Sequence, residues 1–217
     1  MGEKEDFFEA VKSGDFEKVK LLVEKNPSFV NAMDDTTLSP VLTAAYHGEM
    51  GIANYLVANG AKMDIFSSSA LGLTYIVKNL VQKYPKMVNA VAIDGFQPLG
   101  LACYFGRLET AQYLVLHGAE VNSPAINEQR VTPLHSAVAG RHFEVARLLL
   151  ANGADANAEQ QGGFTALHAA AQNGQIEMIQ LLLANGAKLD ARTLERKTPA
   201  DLARERGHAE ALSLLGE

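Results

Sequence analysis

One short run of residues recurs along this chain at a nearly fixed interval, and that recurrence limits the possible folds more than any other feature. Thr132-Pro133-Leu134-His135-Ser136-Ala137 is followed 33 residues later by Thr165-Ala166-Leu167-His168-Ala169-Ala170, and 33 residues further on by Thr198-Pro199-Ala200-Asp201-Leu202-Ala203. Looser copies stand earlier, at Ser39-Pro40-Val41-Leu42-Thr43-Ala44 and Gln97-Pro98-Leu99-Gly100-Leu101-Ala102. A second marker closes each unit: Asn59-Gly60-Ala61, His117-Gly118-Ala119, Asn152-Gly153-Ala154 and Asn185-Gly186-Ala187. A period of this length is the mark of a stacked array, in which each unit buries its apolar face only against its neighbours.

Each part of the repeat has a physical reason. Thr132 and Thr165 suit the position before a helix, where a hydroxyl accepts from first-turn N–H groups. Pro133 suits the first helical position, where its missing N–H costs nothing. The helix that follows carries small pairs such as Ala44-Ala45, Ala102-Cys103 and Ala169-Ala170, which let neighbouring helices approach closely. The next helix is bulkier, with Phe143, Ala146, Leu149 and Leu150 at helical spacing. Thin inner helices and thick outer ones make a wedge, and stacked wedges curve into a solenoid with a concave face. Gly153 and Gly186 sit where a helix must end.

The period, together with the T-P-L-H-x-A run at Thr132 to Ala137, resembles the ankyrin repeat family. The resemblance covers nearly the whole chain. It implies an all-α solenoid of stacked helix-turn-helix units with short β-turn fingers, as a single domain over residues 1–217. It also implies that His135 and His168 orient their turns by hydrogen bonding, and that the usual contact surface is the concave face.

A hinge glycine divides the two helices of a unit at Gly14, Gly48, Gly72, Gly106, Gly174 and Gly207, with Arg141 in the fifth slot, so seven helix pairs are expected. The step from Gly48 to Gly72 is only 24 residues. Gly14 to Gly72, Pro27 to Pro85, Pro40 to Pro98 and Gly60 to Gly118 are all 58 residues apart, so the first half reads as a doubled two-unit block. The first unit, about residues 5–32, reads as an N-terminal cap, and residues 197–216 as a C-terminal cap. The irregular third unit, about residues 64–90, lacks the T-P-L-H turn. Ser67, Ser68 and Ser69 favour turns over helix interiors, so this unit is expected to be the least stable.

The residues flanking the hinges and fingers locate a binding surface. Tyr46, His47, Leu71, Phe96, Tyr104 and Phe105 fall on three consecutive units and are the candidate partner-binding residues. All but His47 form either one exposed apolar stripe, the kind of patch that marks interaction sites, or packing that fills space around the irregular unit. The later fingers are polar, with Asn127, Glu128, Gln129 and Arg130, then Glu159, Gln160 and Gln161, then Glu195, Arg196 and Lys197, and fit a specificity rim.

Composition narrows the function classes. Nineteen Lys and Arg against 25 Asp and Glu give a formal charge of −6, which argues against nucleic acid, whose binders need clustered cations. No apolar run approaches a membrane span, and the N-terminus lacks the apolar core of a signal peptide. The single cysteine, Cys103, excludes an internal disulfide and sits in a small-residue slot of an inner helix, where a buried, inert thiol is expected. His135 and His168 lie a full repeat apart, too far to share one metal ion. No nucleophile, base and orienter come together. The expectation is a cytoplasmic, monomeric protein-binding module (adaptor, scaffold or inhibitor) without catalytic residues, metal or cofactor. A spacer solenoid without a specific partner, and less readily an enzyme, are the alternatives.

Overall fold

The computed structural model describes residues 2–216; residues 1 and 217 of the expected single domain lie outside them. Among the described residues there are fourteen α-helices and no strand. They form seven antiparallel pairs: α1 (Glu3–Ser13) with α2 (Phe16–Lys25), α3 (Pro40–Tyr46) with α4 (Met50–Ala58), α5 (Ile65–Leu71) with α6 (Thr74–Lys83), α7 (Pro98–Tyr104) with α8 (Leu108–Leu116), α9 (Pro133–Ala139) with α10 (Phe143–Ala151), α11 (Ala166–Gln172) with α12 (Ile176–Ala184), and α13 (Pro199–Glu205) with α14 (Ala209–Leu214). No helix of the described residues is long and apolar enough to cross a membrane.

From α3 onward each inner helix has two turns, too short to persist alone in water. Caps and stacking hold them. Ser39, Thr132, Thr165 and Thr198 accept from the N–H three residues on, as expected for such residues ahead of a helix. The third unit uses Asp64 instead, whose carboxylate accepts from Ser67 N at 2.7 Å. Odd-numbered helices pack on odd, forming the inner layer; even-numbered helices form the outer one.

The short 24-residue step has a simple cause. Fourteen residues, 185–198, separate α12 from α13, but only six, 59–64, separate α4 from α5. The third unit has both helices and no finger. Ser67, Ser68 and Ser69 are helical and fully buried, where α5 lies between α3 and α7. Small side chains admit that close approach, but the Ser68 and Ser69 hydroxyls are left without a hydrogen-bond partner.

Three kinds of polar tie join successive units elsewhere. At the outer loops, Asn122 donates to Gly153 O at 2.9 Å and accepts from Asp155 N at 2.8 Å. Asn31, Asn89 and Asn157 repeat that two-bond clamp. At the hinges, the residue after the hinge slot reaches back to the previous inner helix: Arg107 to Ala70 O, His142 to Tyr104 O, Gln175 to Val138 O and His208 to Gln172 O, at 2.8 to 3.2 Å. At the fingers, Ile126 N donates to Gly95 O, Gln161 N to Gln129 O and Leu194 N to Gly162 O, at 2.8 to 2.9 Å.

None of these joins the second unit to the third. Asp64 takes the clamp position but caps α5, Leu73 takes the hinge position, and no finger exists. The apolar core divides at the same place. One buried cluster runs from Phe7 to Leu56 and another from Ile65 to Leu215. A small third cluster, Leu42, Ala45, Ala70 and Leu101, covers the seam. Two polar contacts step over the third unit altogether. Tyr46 OH donates to Asp94 at 2.6 Å, and the Arg107 guanidinium reaches the Met50 sulfur at 3.9 Å.

Candidate protein-interaction surface

The inner helices and fingers meet along the concave face, and the fourth to sixth units enclose a groove of about 380 Å³ there. Phe96, in the finger ahead of α7, and Tyr104, at the end of α7, supply its aromatic wall, and Val131 and Ala139 add apolar surface. Gln129 comes from the fifth finger, and Gln160 and Gln161 from the sixth. No charged side chain lines it.

The floor is held by the turn chemistry. The His135 ring Nδ1 lies 2.8 Å from Thr132 Oγ1 and 3.4 Å from Thr132 N, so it accepts, and Nε2 donates to Phe164 O at 3.2 Å. His168 repeats this with Thr165 and with Lys197 O. Each imidazole therefore locks its own turn and pins the next finger. Burial pushes the His135 pKa down to about 4 and lowers that of His168, against the pull of the carbonyls they donate to. Both rings are neutral at pH 7. Next to His135, Ser136 is buried at the groove with its hydroxyl lacking a partner.

The six residues singled out in the sequence do not stay together. Tyr104 is 42% exposed and, with Phe96, lines the groove. Tyr46, Leu71 and Phe105 are half-buried against the seam cluster, and Phe96 also packs on it. The Tyr46 and Phe105 rings lie 5.7 Å apart, and Phe105 meets Tyr104 edge-on at 5.1 Å. Burial first, then the Asp94 carboxylate, pushes the Tyr46 pKa far up, so its hydroxyl remains a donor. His47 is exposed at the end of α3. Phe96 is the hinge between the two groups. Ser136, Ala139 and Ala169 complete the groove; the sequence marks them as small inner-helix residues, not as part of a binding surface. Cys103 is buried, and burial raises its thiol pKa far above the usual range. Among the described residues no group of three or more His, Cys, Asp or Glu could hold a metal ion.

The hinge slots explain why Arg141 interrupts a row of glycines. A Cβ at Gly106 would lie 2.5 Å from the His142 ring, and one at Gly174 2.7 Å from the His208 ring. The side chain above position 141 is Gln175, which reaches inward to Val138 O and leaves the slot open. Arg141 still adopts φ +60, a left-handed conformation that costs a residue with a Cβ about 1 kcal/mol.

Stacked helical hairpins, capped turns tied by histidine and a finger-lined concave groove define a repeat solenoid of the interaction type. Sequence comparison agrees with that class. Residues 65–160 match the profile described as ankyrin repeats (3 copies), and residues 149–203 match ankyrin repeats (many copies). The chain belongs to the ankyrin repeat family. It is 36% identical over 144 residues to mouse (Mus musculus) ankyrin repeat and SAM domain-containing protein 6, covering 66% of this chain and 14% of that protein. It is 31% identical over 127 residues to alpha-latrocrustotoxin-Lt1a of Latrodectus tredecimguttatus, covering 55% of this chain and 9% of the toxin. A third relative, mouse protein phosphatase 1 regulatory subunit 27, is 30% identical over 105 residues, covering 45% of this chain and 67% of that protein. The chain thus spans only a small part of the length of the first two.

Proposed function

We propose that this chain is a protein-binding module, an adaptor, scaffold or inhibitor, and that its partner seats on the concave groove of the fourth to sixth units. The observation that carries this reading is the groove's chemistry. Phe96, Tyr104 and Val131 offer apolar surface, glutamines edge it, and no charge lines it, in a molecule whose formal charge is −6. Apolar and aromatic anchors surrounded by uncharged polar groups are the usual centre of a protein interface. The mouse relative that is by name a regulatory subunit of a phosphatase supports an array that acts by holding another protein. The buried titratable groups serve turns and packing, which favours binding over catalysis. We read the protein as a cytoplasmic monomer, consistent with its one buried thiol.

The experiment compares Tyr104→Ala with Phe105→Ala. Tyr104 makes its contribution at the surface, whereas Phe105 packs on the seam. Tyr104→Ala is expected to lose the partner at an unchanged melting temperature, and Phe105→Ala to lower the melting temperature. Partner binding by Tyr104→Ala equal to wild type would overturn the groove assignment.

A further inference from the structure

A second depression lies at the hinge edge of the last three units, with a volume of about 380 Å³. Arg141, Gln172, Asn173, Arg206 and His208 line it, and no carboxylate does. We propose that this cleft binds an acidic segment of a partner protein through two carboxylates, one on each arginine.

Four observations carry the assignment. First, neither Arg141 nor Arg206 forms an ion pair among the described residues, although Arg147, Arg204 and Lys197 nearby all do. Glu205, next to Arg206 in sequence, is taken by Lys197. Second, the carbonyl that a basic group could have satisfied here is already engaged, because His208 donates to Gln172 O at 3.2 Å. The guanidinium groups are exposed and uncommitted. Third, Arg141 occupies a left-handed slot that is glycine in the other six units, and Gln175 rather than histidine above it makes the room. Fourth, the Asn173 and Gln172 amides between the arginines supply neutral donors for the same ligand. Glu177 and Glu210 lie with Arg141 around the adjoining depression on its other side.

The spacing selects the ligand. Arg141 and Arg206 belong to units two apart, and packed helices are spaced by about 8–10 Å. Two such spacings put the two backbones about 16–20 Å apart, with both side chains lining the one cleft. An extended peptide rises by about 3.3 Å per residue, so carboxylates two to four residues apart reach both. Arginine suits this role because its planar fork pairs carboxylates in two-point fashion.

This inference deepens the interaction reading by giving the charge of a second contact, and its test does not depend on the groove. An amide-detected NMR titration of the full chain at low salt uses three nine-residue Gly/Ser peptides. One carries Glu at positions 3 and 6, one Gln at those positions, and one a single phosphoserine. The expected result is saturable shifts centred on Arg141, Asn173 and Arg206 with the Glu peptide alone. The affinity should fall at least fivefold in Arg141→Gly and in Arg206→Gln. Arg141→Gly restores the residue of the other hinges, so its fold and melting temperature should be kept. Absence of saturable shifts with the Glu peptide, affinity unchanged in Arg141→Gly, or tighter binding of the phosphoserine peptide would each overturn the proposal. Failure of Tyr104→Ala to affect partner binding would leave these outcomes untouched.

Discussion

His135 is a buried ring whose affinity for a proton changes when the fold is lost. Folded, its Nδ1 accepts from Thr132 and burial holds its pKa near 4; unfolded, it returns to about 6.5. Between those values the unfolded chain takes up a proton that the folded turn refuses. The stabilisation is therefore complete above about pH 6.5 and is lost as the pH falls toward 4, by up to about 3 kcal/mol for this group. His168 is shifted in the same direction. Urea midpoints measured from pH 7.5 to 4.5 should fall in the wild type and fall less steeply in His135→Leu, the residue type that unit two carries at Leu42. Identical slopes would show that another group titrates. The histidine turn was legible in the sequence because Thr132 and His135 stand three apart within a repeated motif. The fate of the aromatics was not. Tyr46 and Asp94 are 48 residues apart, and nothing local announces their bond.

At the scale of elements, the third helix pair shows what periodicity reveals and what it hides. The 24-residue step pointed to an irregular unit, and the structure gives the reason in a missing finger. The three serines were expected in that unit's first helix although serine favours turns. They form one because α5 must sit close between α3 and α7, so packing overrides a preference worth only a few tenths of a kcal/mol per residue. The cost appears in buried hydroxyls with no partner at Ser68 and Ser69. Ser68→Ala and Ser69→Ala should each raise stability by about 1 kcal/mol, through lost desolvation cost and better helix propensity. Thermal melts check this; a fall in melting temperature would mean the hydroxyls contribute favourably. The outer clamp makes the opposite prediction. Asn122→Ala breaks two bonds to the next unit and should cost about 2 kcal/mol.

For the whole molecule, stability in a solenoid is close to a sum of unit and interface contributions, so an interface that keeps one side-chain bond, Ser39 to Ser67 at 3.1 Å, but lacks the recurring ties divides the array. The weakest place moves from the third unit as such to its contact with the second, where clamp, hinge bond and finger bond are all missing and the core changes cluster. Native-state hydrogen exchange should show residues 3–58 opening as one unit at lower free energy than α7 to α12. Tyr46→Phe, which removes the bond to Asp94, should widen that difference. A single opening free energy across all seven units would contradict it. Of the three losses that make this seam, only the missing finger shows in the sequence, as the short step from Gly48 to Gly72; the changes of role at Asp64 and Leu73 do not.

Occupation of the concave groove by a protein partner, as proposed, is tested by affinity. Once a protein retained by the wild-type chain is identified, its Kd is measured by calorimetry for the wild type, Tyr104→Ala and Tyr84→Ala. Tyr84 is a comparably exposed tyrosine outside the groove. Tyr104→Ala is expected to weaken binding at least tenfold, in keeping with an aromatic anchor, and Tyr84→Ala to leave it unchanged. Unaltered affinity in Tyr104→Ala, or an equal loss in Tyr84→Ala, would contradict it.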